Sequence, residues 1–248
     1  MRKIILIMLI ISSLISGHRV VTTITEYNQS RDYYDSMQNE YVQEVTPSPI
    51  PVVAHTTTQQ PPIAVDFYSL KQINNDVIGW IYCENTPINY PIMHTSNNIY
   101  YLTHLLDRSY SANGCIFLDC INNEFNDANS ILYGHHMRDG SMFASISGYK
   151  EQNYYDEHPV LWLLTQKQNY MLCPFAGLIV EPDRENYFMN SFDSAAEQQE
   201  YIKYALENST FIGDFSPNEK DRIITLATCD YTFKDARFIL VCTLVKVT

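Results

Sequence analysis

Hydrophobic and polar positions divide this chain into three segments of different character. An uncharged, mostly apolar run from Ile4 to Gly17 follows Arg2 and Lys3. A polar, proline-containing stretch comes next, and from about residue 64 short apolar runs alternate with turn-forming residues. The pattern predicts a signal anchor or transmembrane segment over 1–24, a Pro/Thr-rich extracellular spacer over 25–63 and one folded domain over 64–248.

The N-terminal segment has basic residues before its apolar run, as secretion signals and membrane anchors do. As a helix, the run from Ile4 to Gly17 spans only about 21 Å, and the apolar residues up to Ile24 lengthen it if Arg19 extends its charge to the membrane surface. A small-residue cleavage site is disfavoured because Ile15 would stand third before the cut. We expect a single-pass anchor with the N-terminus inside and the folded domain outside the cell membrane; a cleaved signal peptide and a buried core helix remain alternatives.

The expected spacer is defined by its prolines. Five of them stand at positions 47, 49, 51, 61 and 62, and proline fixes φ and removes a hydrogen-bond donor, which favours an extended chain. The acidic stretch from Tyr27 to Glu44 predicts a weak helix or no regular structure. Together, an anchor and a stiff spacer would hold a domain away from a membrane surface.

The sequence pattern of the folded domain is typical of a β protein. A spacing of three between Phe67, Leu70 and Ile73 predicts a helix over 66–74. Eight strands are then predicted between turn residues, at Ile78–Tyr82, Ile88–Met93, Gly114–Leu118, Ser130–Tyr133, Val160–Leu164, Tyr170–Val180, Arg222–Thr228 and Phe238–Val247. Many strands with few helices predict a mainly β fold, a closed barrel or a sandwich, rather than a doubly wound sheet.

One further helix is predicted from Ser194 to about Asn208. The segment Ser194–Glu197 reads as a capping box, and an apolar stripe of Tyr201, Ile202, Ala205 and Leu206 follows it. This helix stands between two predicted strands, so we expect it to cover an edge of the β structure.

Composition and charge narrow the classes of function that this chain could have. The chain of 248 residues has 16 Lys and Arg against 28 Asp and Glu, a net charge of −12, which disfavours nucleic acid as a partner. Neither a GxGxxG nor a GxxxxGK[ST] motif is present. Of the six cysteines, five would remain if one were a reactive thiol, and an odd number does not form a purely disulfide-linked scaffold.

The first candidate site is the pair His135 and His136, which follows the strand-like Ile131–Tyr133 and a Gly. A histidine after such a break is presented to solvent, although an ordinary surface loop has the same pattern. Adjacent histidines on a strand point apart, and neither CxxC nor HxxxH accompanies them, so a zinc site is disfavoured.

The second and third candidates are Cys229, at the end of one predicted strand, and Arg237, at the start of the next. If these strands pair antiparallel through the loop 230–236, the two residues lie nearly opposite each other. The alternatives are a buried, unreactive thiol and a salt bridge from Arg237 to Asp230 or Asp235. As a set, a thiolate that attacks a carbonyl, an imidazole that relays protons and a guanidinium that stabilises the oxyanion would perform acyl transfer through a thioester.

These residues carry a resemblance to a known family. The segment Thr225–Cys229 resembles the TLxTC motif of sortases, the cysteine transpeptidases of Gram-positive cell surfaces, and Ile131–Met137 resembles the histidine motif of class B sortases. Arg237 matches the family's arginine in position. The resemblance covers about residues 66–247 and implies an eight-stranded β-barrel with N-terminal helices and an extra helix between the sixth and seventh strands. It assigns the catalytic roles to His135, Cys229 and Arg237, and it leaves His136 without one.

Weaker matches to the family suggest a substrate groove. The residues concerned are Asn98, Leu102, Tyr133, Tyr187, Phe188 and Thr228, although each aromatic or apolar side chain is equally compatible with core or surface packing. Ala227 stands where class B members often have Ser, which removes a hydroxyl near the cysteine.

The resemblance also implies the partners. It implies exported proteins with a C-terminal sorting signal, NPxTN-like or PxTG-like, cleaved after Thr and transferred to an amine of the peptidoglycan precursor or stem peptide, with no metal or organic cofactor. Two other functions stay open at this point: a cysteine endopeptidase or hydrolase on the same fold without transfer, and a non-enzymatic surface-binding domain.

Overall fold

Residues 2–45, 60–181 and 188–247 are described by a computed structural model of the chain. The α-helices within these ranges are α1 (Arg2–Tyr41), α2 (Phe67–Ile73), α3 (Gln152–Glu157) and α4 (Ala195–Glu207), and 3-10 helices cover Tyr100–Leu102 and Ala144–Lys150. The β-strands are β1 (Val42–Glu44), β2 (Ile63–Val65), β3 (Val77–Tyr82), β4 (Asn89–Met93), β5 (Ile116–Leu118), β6 (Asn129–Tyr133), β7 (Leu161–Leu164), β8 (Tyr170–Val180), β9 (Ile223–Cys229) and β10 (Arg237–Lys246).

Strands β3 to β10 close into an eight-stranded barrel in the order β10-β8-β7-β3-β4-β5-β6-β9. The pairs β4–β5 and β6–β9 are parallel, and the other neighbouring pairs are antiparallel. The predicted mainly β barrel is therefore confirmed, and each predicted strand matches within two residues at its ends. The third barrel strand begins later than predicted because Gly114 has a positive φ of 56°, which takes it out of the extended conformation.

Side chains of β9 and β10 alternate between the two faces of the barrel wall. Leu226 and Leu240 belong to the main interior cluster, whereas Ala227 and Ile239 lie in a second cluster with residues of α4. Helix α4 begins as predicted, since the Ser194 side chain accepts a hydrogen bond from the Glu197 amide. It stands between the sixth and seventh barrel strands, where the resemblance places an inserted helix.

The expected spacer is wrong over residues 25–45, because α1 continues to Tyr41 and packs on the barrel. Tyr34 and Met37 are buried, with 4% and 6% of their surfaces exposed. The Tyr34 hydroxyl donates a hydrogen bond to the Gly114 carbonyl, and the Gln38 side chain donates one to the Asn89 carbonyl. After the helix, β1 pairs with β2. The proline-rich residues 46–59 lie outside the described residues.

The N-terminal half of α1 is apolar and uncovered. Residues such as Leu9, Leu14 and Val21 expose more than half of their surfaces, with 63%, 68% and 63% accessible. In the described residues, α1 is the one helix long and apolar enough to cross a membrane, by length and composition alone.

Candidate active site

The antiparallel hairpin of β9 and β10 brings Cys229 and Arg237 together. Cys229 is the last residue of β9 and Arg237 the first of β10, and their Cα atoms are direct partners across the hairpin. The Asp230 amide donates a hydrogen bond to the Ala236 carbonyl, which closes the loop just beyond the pair. Both residues are partly exposed. The predicted position of the two residues opposite each other is confirmed.

A parallel pairing brings His135 to the same end of the barrel. Tyr133 on β6 pairs with Ala227 on β9, and the Gly134 amide donates a hydrogen bond of 3.1 Å to the Ala227 carbonyl. The carboxyl ends of neighbouring parallel strands lie at the same edge of a sheet. His135 and Cys229, each two residues beyond the Tyr133–Ala227 pair, are therefore presented at one edge.

The ring of His135 is held by a backbone carbonyl. Its Nε2 lies 2.8 Å from the Leu102 carbonyl oxygen. A carbonyl only accepts hydrogen bonds, so Nε2 carries the proton in this contact and Nδ1 is the nitrogen available for proton exchange. Leu102 is predicted as a groove residue, but its contact with His135 has no sequence signal, since the bonding group is in the backbone and lies 33 residues away.

His136 supports the segment that carries the thiol. Its Nδ1 lies 3.0 Å from the Cys229 carbonyl oxygen and 3.3 Å from Ser147 Oγ. The ring also packs edge-on against Tyr231, with 5.1 Å between ring centroids. The resemblance assigns His136 no role, but these contacts connect the loop after β6 to the end of β9.

The guanidinium of Arg237 is oriented by its own loop. Nη1 donates hydrogen bonds of 3.0 Å to the carbonyls of Asp235 and Ala236. Among the described residues, Arg237 does not form the alternative salt bridge to Asp230 or Asp235. Asp230 pairs with Lys150 instead, and the Asp235 Oδ2 atom lies 3.9 Å from Lys234 Nζ. The Arg237 charge therefore remains available to a carbonyl oxygen near Cys229.

A buried ion pair stands directly after Cys229. The Asp230 side chain is 1% exposed and pairs with Lys150, whose side chain is 29% exposed. Burial alone would raise the pKa of Asp230, but hydrogen bonds from Lys150 and Thr232 hold that pKa below its ordinary value. The pair fixes the backbone at the start of the β9–β10 loop, and no sequence signal revealed it because Lys150 is 80 residues distant.

We expect Asp230→Asn to lower stability by about 2 kcal/mol at neutral pH, since Lys150 then loses its partner. The lowered pKa means that the stabilisation by Asp230 is present above the unfolded pKa of about 4 and is lost as pH falls through the folded value. Thermal unfolding at pH 7 and at pH 3 measures this difference, with exposed Asp32→Asn as the control. An equal gap between wild type and Asp230→Asn at both pH values would contradict the prediction.

Thr228, predicted as a substrate-binding residue, lies inside the barrel wall. Its side chain is buried, with 3% of the residue exposed, and its hydroxyl donates a hydrogen bond of 2.8 Å to the Gly134 carbonyl. Strand alternation turns Thr228 inward when Cys229 faces out. Its side chain joins β9 to the segment before His135.

The remaining groove residues lie along β6 and the loops beside it. The Tyr133 hydroxyl donates to Asp119, and its ring lies 6.2 Å from that of Phe188. The Asn98 side chain accepts a hydrogen bond of 2.7 Å from the Cys120 amide. Asn98, Leu102, Tyr133 and Phe188 are partly exposed. We call this set, expected from the resemblance to bind substrate, the aromatic groove; the predicted Tyr187 lies outside the described residues.

All six cysteines are free thiols, and four of them are buried. Burial raises the pKa of Cys83 to about 11 and that of Cys115 and Cys173 to about 12, so these thiols are almost entirely protonated at neutral pH. Cys120 and Cys229 are the partly exposed members of the set. The alternative of a buried, unreactive thiol therefore does not hold for Cys229.

Gly134 is confined by side chains packed around it. A Cβ at this position would lie 2.4 Å from Ile116 Cδ1 and 2.7 Å from the Phe143 ring. We expect Gly134→Ala to destabilise the fold by about 1–3 kcal/mol, because a packed core does not accommodate an added methyl group freely. Chemical denaturation measures the loss, with Gly17→Ala as a control because a Cβ there meets nothing within 4 Å. Equal stability of both variants and wild type would show that Gly134 is not confined.

Comparison with known proteins identifies the fold and the family. The sequence matches no family model. Sortase B of Staphylococcus aureus is 29% identical over 244 residues, covering 97% of this chain and 95% of the relative, and sortase B of Listeria monocytogenes is 31% identical over 224 residues, covering 90% and 86%. The structure of a Staphylococcus aureus sortase B–substrate complex superposes with a TM-score of 0.70 at 31% identity, covering 73% of this chain and 85% of that one.

Identity and coverage of this extent, on a barrel of the same architecture, establish the family and favour a transpeptidase over a merely binding role. This chain belongs to the sortase B family of cysteine transpeptidases.

Proposed function

We propose that Cys229, His135 and Arg237 carry out a transpeptidation in which Cys229 is the nucleophile. The observation that carries this assignment is the meeting of three strand ends at one edge of the barrel. Arg237 is the direct cross-strand partner of Cys229, and β6, which leads to His135, runs parallel to β9. This arrangement supplies a thiol, a proton carrier and a cation around one space.

In the first half-reaction, the Cys229 thiolate attacks the carbonyl carbon of the peptide bond that follows Thr in a sorting signal. Nδ1 of His135 takes the proton of the Cys229 thiol as the thiolate forms. When the carbon–nitrogen bond breaks, Nδ1 gives that proton to the leaving amine. The acyl group stays on Cys229 as a thioester. The contact between Nε2 of His135 and the Leu102 carbonyl keeps the ring orientation constant through this step.

Arg237 stabilises the negative charge that develops on the carbonyl oxygen. Its guanidinium is always charged and has several N–H donors in a fixed plane. Two loop carbonyls occupy Nη1 and set the orientation of the group. A donor held in place before the reaction begins contributes more to the rate than one that must reorganise.

The substrates follow from the family and from the aromatic groove. We assign the donor as an exported protein with a C-terminal sorting signal of the NPxTN or PxTG kind, bound along Asn98, Leu102, Tyr133 and Phe188, with Tyr187 as a further contact. The acceptor is an amine of the peptidoglycan precursor or stem peptide. The apolar, exposed half of α1 supports a single-pass membrane anchor. The basic Arg2 and Lys3 before it favour an inside N-terminus, which would put the catalytic domain outside the cell.

Cleavage of sorting-signal peptides by the purified protein tests this function. With an amine acceptor present, we expect a product that joins the peptide up to Thr to the acceptor, identified by mass spectrometry. Without acceptor we expect slow release of the free acid. Free acid alone under both conditions would indicate a hydrolase without transfer, and intact peptide throughout a whole library would contradict the proposed function.

A further inference from the structure

Tyr34 on α1 makes two contacts that lead toward His135. Its hydroxyl donates a hydrogen bond to the Gly114 carbonyl. Its ring packs edge-on against the ring of Tyr90, with 5.0 Å between the ring centroids. Gly114 and Tyr90 belong to different segments of the barrel, and each segment holds a different part of His135.

The first route, through Gly114, reaches the ring of His135. Gly114 packs directly on Leu102, since a Cβ added to this glycine would lie 2.6 Å from the Leu102 carbonyl oxygen. The Cys115 amide donates a hydrogen bond of 2.8 Å to the Tyr101 carbonyl, which holds the two segments side by side. The Leu102 carbonyl is the group that accepts the hydrogen bond from Nε2 of His135. A displacement of Gly114 would therefore move the acceptor that orients this ring.

The second route, through Tyr90, reaches the backbone of His135. The Tyr90 hydroxyl accepts a hydrogen bond of 3.1 Å from the Met142 amide. The amide of the next residue, Phe143, donates a hydrogen bond of 3.0 Å to the His135 carbonyl. Met142 also pairs with His136 in an isolated β-bridge. The ring and the backbone of His135 are thus both held by segments that contact α1.

The surroundings of both routes are closely packed. Tyr90 and Phe143 are buried, with 5% and 0% of their surfaces exposed, and Tyr34 is buried as well. A packed interior has few voids that could absorb a displacement, so a shift of one side chain passes to its neighbours. The loss of a hydrogen bond at Tyr34 would therefore be felt at the segments that it contacts.

We propose that Tyr34 is a positioning residue for catalysis, because the docking of α1 through Tyr34 holds both the acceptor of the His135 ring and the backbone that carries this ring. The inference rests on the proposed function, in which Nδ1 of His135 exchanges a proton with the Cys229 thiol and the leaving amine. The same helix continues toward the N-terminus into its exposed apolar half. The segment proposed as the membrane anchor and the catalytic histidine are therefore mechanically connected.

The substitution Tyr34→Phe tests the first route, because it removes the hydroxyl and keeps the ring that contacts Tyr90. In the full-length chain we expect kcat for a sorting-signal peptide to fall about tenfold and KM to change less than threefold, since a misoriented proton carrier slows the chemical step more than it weakens binding. Tyr90→Phe tests the second route. It removes the acceptor of the Met142 amide and should also lower kcat more than it changes KM.

NMR of the full-length chain labelled with ¹⁵N-histidine adds a readout that a loss of stability alone does not move. The hydrogen bond to Leu102 shields the Nε2 proton of His135 from exchange with water. We expect this proton resonance to broaden in Tyr34→Phe at a temperature where both proteins are fully folded. His135→Ala assigns the resonance among the seven histidines.

Tyr33→Phe is the matched control. The Tyr33 hydroxyl accepts a hydrogen bond of 3.1 Å from the Asp107 amide, so this variant also loses one bond between α1 and the barrel, but a bond on neither route. Its kcat and its His135 resonance should remain those of the wild type.

Wild-type kcat and an unchanged His135 resonance in Tyr34→Phe would overturn the positioning role, and so would an equal loss of kcat in Tyr33→Phe. Either result leaves the proposed function standing, whereas absence of peptide cleavage by the wild-type protein would count against that function itself. If Tyr34→Phe fails to fold, Tyr90→Phe decides the matter, since it leaves the bond between Tyr34 and Gly114 in place. Wild-type kcat in Tyr90→Phe would then overturn the proposal.

Discussion

Replacing Cys229 with alanine is expected to abolish both cleavage and transfer of a sorting-signal peptide. The expected loss is about 10³-fold or more, because no other group near the end of β9 can form the thioester. The fold should be unaffected, since Cys229 is partly exposed and lies at a strand end. Steady-state rates with a fluorogenic sorting-signal peptide measure the effect.

Cys120 offers a matched control for this substitution. It is the other partly exposed thiol, and its amide is bonded to Asn98 in the aromatic groove. Cys120→Ala should retain most of the activity because the backbone contact does not depend on the side chain. Activity that survives in Cys229→Ala and disappears in Cys120→Ala would reassign the nucleophile.

Replacing His135 with alanine is expected to lower kcat/KM by about 10²–10⁴-fold, the usual contribution of a positioned acid–base group. His135 is held by Leu102 with one ring nitrogen left for proton exchange. The loss should appear in kcat more than in KM, because the ring moves a proton in the reaction and is not required for peptide binding.

His136→Ala distinguishes catalysis from support at the neighbouring position. His136 contacts the Cys229 carbonyl and does not have a role in proton transfer in this mechanism. We expect its loss to be smaller, about tenfold, through a less ordered end of β9. A larger defect in His136→Ala than in His135→Ala would exchange the two roles.

Much of the barrel could be predicted from sequence because its strands are short apolar runs separated by turn residues. Helix α4 could also be predicted, since Ser194 and Glu197 form a local capping signal. The docking of α1 could not, because its contact face consists largely of tyrosines and a methionine within an acidic stretch, such as Tyr34 and Met37. Tyrosine looks polar or neutral in a hydropathy pattern, although its ring buries a large apolar surface.

The candidate site also has features that the sequence predicts and features that it does not. Spacing alone placed Cys229 opposite Arg237, because a short hairpin determines which residues face each other. The contacts that orient the site escaped prediction: Leu102 acts through a carbonyl, and the Lys150–Asp230 pair joins residues far apart in sequence. The inward turn of Thr228 follows from strand alternation, once the strand is known to end at Cys229.

The most direct test of the account is mass spectrometry of the protein mixed with a sorting-signal peptide and no acceptor. We predict an adduct with the mass of the peptide up to Thr, located on Cys229 after digestion and released by hydroxylamine or by an added amine. Cleavage of the peptide with no adduct on Cys229, or with the adduct on another residue, would contradict it.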